Sequence, residues 1–184
     1  AGLVATCIGD PGPFTYKRSR QGNAEVDRAV EAVLAGAGAI EEFSPLGTDE
    51  RQFGSPGFDL PIGVLSRTPP DRFPEYHSSA DDLDFVRPEA LGESFHRYLD
   101  VIEVLERNRA YRNLSPKGEP QLGKRKLYRA VGGGSFTEGP LLWVLNLSDG
   151  RHDLLAVAER SGLPFAEVAD AADALVEVGL LAPA

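Results

Sequence analysis

Only one cysteine, Cys7, occurs among the 184 residues, and methionine is absent altogether. A single thiol excludes any intrachain disulfide, so stability must come from burial and hydrogen bonding. That usage fits a reducing compartment, and a cytoplasmic protein is the expectation. No run approaches the roughly 20 apolar residues that a membrane-spanning helix requires, so no membrane partner is expected. Basic side chains are scarce: 19 Lys and Arg stand against 28 Asp and Glu, for a formal net charge of −9 and a pI near 4.8. Nucleic acids and anionic membranes are held by clustered Lys and Arg, so this balance argues against both. Histidine is limited to His77, His96 and His152.

What is present is an ordinary globular composition, 42% hydrophobic and 26% charged, in a chain long enough for one good core or two small ones. The opening Ala1-Gly2-Leu3-Val4 has no initiator methionine, no charged region before it and no cleavage pattern of a secretory leader. It reads as a strand entered at once, and a portion of a longer protein is the expectation. Leu3 to Ile8 reads as a buried strand running into the turn Gly9-Asp10-Pro11-Gly12. Asn23 is placed to cap a helix from about Ala24 to Ala35, stopped by Gly36 and Gly38. Ala39 to Phe43 and Leu60 to Leu65 read as strands, separated by a loop rich in Gly, Pro and charge over Ser44 to Gly57. Pro88 suits the first turn of a helix. The stripe Leu91, Phe95, Tyr98, Leu99, Ile102 and Leu105 predicts that this helix packs one face on a sheet. Tyr111 to Gly134 reads as a connector with little core of its own. It holds Lys124-Arg125-Lys126, the only basic cluster, with Lys117 and Arg129 nearby, and Gly132-Gly133-Gly134. Leu141 to Leu147, Asp153 to Arg160 and Phe165 to Val178 then read as three helices before a short strand, the outline of a winged helix. The expected organisation is an α/β domain over residues 1–112, a connector over 113–138 and a winged-helix module over 139–184.

Few residues carry chemistry. His77 lies in Phe73-Pro74-Glu75-Tyr76-His77-Ser78-Ser79-Ala80-Asp81, where a neutral imidazole suits zinc. The nearby Ser78, Ser79, Asp81 and Asp82 are candidates to hold its second nitrogen. An ordinary loop histidine is the competing reading. Asp10 follows a strand, where open α/β sheets place ligands, or is simply a turn aspartate before Pro-Gly. Asp49 and Glu50 lie in a loop that can fold over a site or stay solvated. Arg51 can bind a carboxylate in bidentate fashion or pair with a neighbouring acid. Over Leu141 to Ala184 there are two basic and seven acidic residues, a net −5. The third helix carries Glu167, Asp170, Asp173 and Glu177 and no Lys or Arg. A winged helix with that face repels DNA, so docking or self-association through the module is the expectation, without nucleic acid.

Four ordered motifs carry a resemblance: Cys7-Ile8-Gly9-Asp10-Pro11-Gly12-Pro13-Phe14-Thr15-Tyr16, Gly47-Thr48-Asp49-Glu50-Arg51-Gln52-Phe53, Pro74 to Asp81, and Asn113-Leu114-Ser115-Pro116-Lys117-Gly118 onward to Arg125. Together they resemble a bacterial group of aminopeptidase-like proteins with a C-terminal winged helix-turn-helix, related to co-catalytic zinc aminopeptidases. The resemblance implies the C-terminal portion of a three-layer α/β domain, two zinc ions in the complete protein, and hydrolysis of a small peptide or amide by metal-activated water. It makes Asp10 and His77 metal ligands. Asp49, Glu50, Arg51, Tyr76 and Asp81 become residues that orient ligands or touch substrate, although Glu50 stands where the relatives' loop carries a histidine. Two candidate ligands do not make the usual set of three or four, and no residue here answers to the glutamate that activates the water.

Overall fold

The computed structural model describes residues 1–127 and 138–184. The chain divides into two compact units, 1–105 and 106–184. Arg129 and the Gly132-Gly133-Gly134 run lie outside the described residues.

The first unit is built on a four-stranded mixed sheet in the order β1 (Gly2–Ala5), β4 (Ile62–Ser66), β2 (Phe14–Lys17), β3 (Gly38–Glu41). β1 runs parallel to β4, with Gly2 opposite Ile62 and Ala5 opposite Leu65. β2 is antiparallel to β4 and parallel to β3. The sequence reading missed β2, because Phe14 to Lys17 follows a Pro-Gly-Pro stretch that reads as a turn. Tyr16 on that strand is fully buried. It fits because Gly63, two residues along β4 from its register partner Leu65, has no side chain, and a Cβ there would collide with the Tyr16 ring and hydroxyl.

Helix α1 (Glu25–Leu34) buries Val26, Ala29, Val30 and Leu34 and ends at Ala35, a left-handed residue with φ 44°. Its start differs from the expected Asn23 cap. Ala24 is the capping residue, and Asp27 reaches back to accept from the Ala24 N–H at 2.8 Å. The same fully buried carboxylate accepts from the Tyr16 hydroxyl (2.8 Å), the Ser19 N–H (2.7 Å) and the Ser19 hydroxyl (2.6 Å). Four donors let a charge sit in the core, because each replaces a water lost on folding. Burial and then the bond to Asp27 push the Tyr16 phenol far above its ordinary range, so it stays a donor.

Two further expectations are corrected here. The loop from Ser44 to Gly57 contains a short helix, α2 (Asp49–Phe53). The long helix α3 (Pro88–Arg107) forms as expected, but its apolar stripe does not pack on the sheet. Its buried residues are Ala90, Ser94, Val101 and Val104, while Leu91, Phe95, Leu99 and Ile102 are exposed. Of the expected stripe only Tyr98 reaches the sheet, where its hydroxyl donates to the Leu65 carbonyl. The inner face mixes small and β-branched side chains, Ala90, Ser94, Val101 and Val104, and hydrophobic periodicity does not single it out.

In the second unit β5 (Ala110–Asn113) is the centre of a three-stranded sheet, flanked by β6 (Asp149–Asp153) and β7 (Leu181–Pro183). Helices α4 (Glu138–Leu147), α5 (Leu154–Ser161) and α6 (Phe165–Glu177) pack their apolar faces into one core. Asp153 caps α5 by accepting from Ala156 N–H at 2.7 Å, and Gly162 (φ 69°) ends it. The expected connector is therefore partly structural: β5 supplies the central strand, and Leu122 and Leu127 are buried in the core. Among the described residues, no helix is long and apolar enough to cross a membrane.

Replacing Asp27→Ala leaves the Tyr16 and Ser19 donors buried without an acceptor and uncaps α1. Urea unfolding should show a loss of about 2–4 kcal/mol; a loss under about 0.5 kcal/mol would refute the central role given to this carboxylate.

Candidate functional site

The turns that follow the parallel strands β1 and β4 come together at one end of the first unit. The Arg67 N–H donates to the Cys7 carbonyl and the Arg87 N–H to the Gly9 carbonyl, both at 2.9 Å. These bonds bring the Thr6–Gly12 turn against the residues after β4 and against the approach to α3. Asp10 is buried and accepts from the Gly12 N–H at 2.8 Å, from the Thr68 hydroxyl at 2.6 Å and from the Thr68 N–H at 3.3 Å. A Cβ at Gly12 would strike the Thr68 hydroxyl, so the Asp-Pro-Gly motif has a packing reason as well as a chemical one.

Arg67 is a feature that sequence reasoning missed. Its side chain is buried and donates to the Gly12 carbonyl at 2.9 Å and to Glu93 at 3.0 Å, with the guanidinium 4.7 Å from the Phe14 ring centre. Nothing around Ser66-Arg67-Thr68 marks this arginine as buried, and its partners are distant in sequence.

His77 is exposed and left-handed, with φ 56°. Its ring stacks on Tyr76 with centroids 4.0 Å apart, and Tyr76 in turn meets Phe73 edge-on at 5.5 Å. Phe73 stacks on Phe85 at 5.3 Å. This aromatic row stiffens a segment that otherwise consists of turns. Ser78 and Asp82, expected beside the imidazole, make local turns: the Ser78 hydroxyl donates to the Glu75 carbonyl, and Asp82 accepts from the Asp84 and Phe85 N–H groups. Asp81 is exposed.

Burial, and then the charges of Asp10, Asp81 and Asp71, push the Cys7 thiol above its ordinary value, against a lowering bond from Thr6. The carboxylates of three separate turns thus act on one point. A thiol raised chiefly by burial is a poor candidate for a thiolate nucleophile.

Beside this convergence lies a cavity of about 420 Å³, lined among others by Thr6, Thr15, Ser66, Arg72 and Tyr76. Its charged lining is Lys17, Glu41, Glu50, Asp71 and Arg72, and Glu50 belongs to the Gly47-Thr48-Asp49-Glu50 motif. Glu50 is buried and meets Lys17 Nζ at 2.5 Å, while the Thr48 N–H and hydroxyl donate to its other oxygen at 3.0 Å. Lys17 also donates to the Leu46 carbonyl at 2.8 Å. Gly47 is required by close approach, since a Cβ there would overlap the Glu50 carboxylate. Burial alone would raise the Glu50 carboxyl; the bond from Lys17, with help from Thr48, outweighs it and leaves the group below its ordinary value near 4.5. Asp49 and Arg51 are exposed on α2. At the rim Arg72 pairs with Glu41 at 2.7 Å.

Whether these residues suit a metal centre can be judged from how they gather. Among the described residues, no three of His, Cys, Asp and Glu converge as a metal requires. The oxygens of Asp10 are already engaged by Gly12 and Thr68. The donors of this chain therefore do not by themselves fit the two-zinc centre that the resemblance implies.

In the second unit, the outer face of α6 carries Asp170 and Asp173, and both accept from the Arg107 guanidinium, at 2.7 and 2.8 Å. Arg107 thus holds part of the acidic face of the third helix, the one that lies in the major groove when a winged helix reads DNA.

A mixed α/β unit with a cavity and clustered turns at its strand ends, followed by a winged helix, defines the class. Residues 1–108 match the family model described as "Domain of unknown function (DUF4910)", and residues 109–183 match one described as "winged helix-turn-helix". The chain belongs to the DUF4910 family. A curated relative from Clostridium acetobutylicum, named "Putative polysaccharide biosynthesis protein with aminopeptidase-like domain", is 50% identical over 186 residues, which is 98% of this chain and 43% of the relative. A crystal structure of a "putative peptidase" from the same organism superposes with a TM-score of 0.90 at 46% identity, over 100% of this chain and 42% of that one. The chain thus spans less than half the length of these relatives.

The Lys17–Glu50 pair has a definite pH signature. A carboxyl depressed by folding contributes stability above its ordinary value, and that contribution disappears as the pH falls through the folded value. Glu50→Gln should therefore cost about 2 kcal/mol in urea unfolding at pH 7, and progressively less as the pH is lowered below the ordinary value near 4.5. An equal cost throughout would mean that the charge is irrelevant.

Proposed function

We propose that this chain is the substrate-shaping portion of an aminopeptidase-like hydrolase that cleaves a small peptide or amide bond. The observation that carries the reading is a hydroxyl-lined cavity whose wall residue Tyr76 stacks on an exposed His77, at the strand ends of a chain 50% identical to a relative named for an aminopeptidase-like domain. Clefts at strand carboxyl ends are where α/β sheets bind ligands. The name of that relative brings an amide-bearing sugar within the substrate class alongside a peptide.

Each residue has a physical task in this reading. Thr6, Thr15 and Ser66 offer hydroxyls that can donate or accept, so they suit a polar, neutral group next to the scissile amide. Lys17 and Glu50 neutralise one another and fix the cavity wall without presenting net charge to the ligand. Tyr76 holds the His77 ring in a narrow range of orientations. Asp49, Arg51 and Asp81 stand exposed on α2 and on the turn after His77, where an approaching substrate can meet them. Zinc belongs to this reading as an ion that the exposed His77 would help to hold, whereas Asp10 would have to release Gly12 and Thr68 before joining it. Because these donors do not complete a site, the remaining ligands would have to come from the part of the longer proteins that this chain does not span. The mechanism stops, for this chain, at binding and orienting.

Two measurements test the proposal. The chain alone, purified in the presence of zinc and desalted, should retain well under one equivalent of metal by elemental analysis. In the C. acetobutylicum relative, an Ala substitution at the position equivalent to His77 should lower hydrolysis of amino-acid amides by about 100-fold or more. Undiminished hydrolysis after that substitution would remove His77 from the site.

A further inference from the structure

Helix α3 is apolar on two faces, and only one of them is covered. The inner face, Ala90, Ser94, Val101 and Val104, is at most 5% exposed. The adjoining face is open: Leu91 is 40% exposed, Phe95 61%, Leu99 45% and Ile102 52%. These four residues follow spacings of four, four and three, so they form one continuous stripe rather than scattered surface residues. A helix apolar on more than one side belongs between two layers.

The stripe lies beside a second unsatisfied surface. The Ser94 hydroxyl donates to the Ile8 carbonyl at 2.8 Å, the Tyr98 hydroxyl lies 3.3 Å from the Val4 carbonyl, and a Cβ at Gly9 would sit 3.3 Å from Leu91. These contacts set α3 along β1 and the turn after it. β1 is the edge of its sheet and pairs only with β4 among the described residues. Its residues, Gly2-Leu3-Val4-Ala5, carry none of the charges, prolines or bulges by which natural edges avoid pairing. Entirely apolar strands in parallel register are characteristic of sheet interiors.

We infer that the α3 stripe and the free edge of β1 form one interface, and that its occupant is the portion that the longer relatives carry outside the region matched by this chain. That portion would run a strand alongside β1 and lay an apolar layer over Leu91, Phe95, Leu99 and Ile102. The length of the relatives selects this occupant. The solved relative matches this chain over its full extent at 46% identity, yet the match covers only 42% of that protein. More than half of a closely similar molecule is therefore available to cover a face that is open here. A second copy of this chain is the rival occupant, and the experiment separates the two. The inference does not depend on the hydrolase reading, since it concerns packing alone.

The test compares the same substitutions in two settings. Phe95→Asp and Leu99→Asp, made in this chain, should leave its thermal midpoint within about 1 °C, because both side chains are already solvated. The equivalent substitutions in the full-length C. acetobutylicum protein should lower its midpoint by about 5 °C or more each, because there the carboxylate is forced into an apolar layer. Leu83→Asp, at a side chain 91% exposed and off the stripe, serves as the control and should be neutral in both. Neutral behaviour of the stripe substitutions in the longer protein would overturn the inference. So would light scattering that shows a dimer of this chain which Phe95→Asp dissociates, since the occupant would then be a second copy.

Discussion

Burying the Arg67 guanidinium is the step that makes the first unit a site rather than only a fold. A charged group taken out of water is tolerated only if each N–H finds an acceptor and the charge finds a partner. Here the acceptors are the Gly12 carbonyl on the turn after β1, and the Ala90 carbonyl and Glu93 carboxylate on α3, while Phe14 of β2 offers its ring face. One side chain from the end of β4 therefore ties together two strands, a turn and a helix. The position of Asp10 follows from this. Its turn is pinned at Gly12 by Arg67 and at Asp10 itself by Thr68, the next residue along. Arg97, one turn further along α3, also lies over the Phe14 ring at 5.7 Å and donates to the Val33 carbonyl of α1.

The same logic explains why the chemistry-bearing motifs were legible while their geometry was not. Asp10-Pro11-Gly12, Gly47-Thr48-Asp49-Glu50 and Tyr76-His77 stand out because each combines a glycine or aromatic with a carboxylate or imidazole in a turn-rich stretch. In two of the three motifs the glycine is explained by a carboxylate and its partners folding back on it: Thr68 onto Gly12, Glu50 onto Gly47. What a short motif does not contain is its partner. Lys17, Thr68 and Arg67 complete these sites from tens of residues away, and each occupies a stretch that reads as plain strand or loop.

The helices of the second unit were legible because each combines apolar periodicity with a stop. Its sheet was less so. β5 is a four-residue strand, Ala-Tyr-Arg-Asn, in which only Tyr111 is buried. Burial of one residue in four leaves no alternating pattern to detect. The strand exists because it lies between β6 and β7 and its backbone groups pair on both sides. For α3 the error ran the other way: the pattern was strong and the helix formed, but the stripe faces outward. Periodicity finds an apolar face without saying which molecule, or which part of one, will cover it.

Glu50 shows how a substitution in a resemblance can carry its own physics. Where the resemblance leads one to expect a histidine, this chain holds a carboxylate, and that carboxylate is engaged by Lys17 and Thr48. A histidine there could neither neutralise Lys17 nor accept from the Thr48 N–H and hydroxyl together, because a neutral imidazole has only one acceptor nitrogen. Conversely, a half-buried lysine at the end of β2 gains from an anion within reach, because water screens the pair only partly. The two positions are thus one decision made twice, in a strand and in a loop 33 residues apart. The consequence for the cavity is that its most buried charged pair presents no net charge to a ligand. Under the proposed function, recognition then falls to the hydroxyls of Thr6, Thr15 and Ser66, to Tyr76, and to the partly exposed charges at the rim.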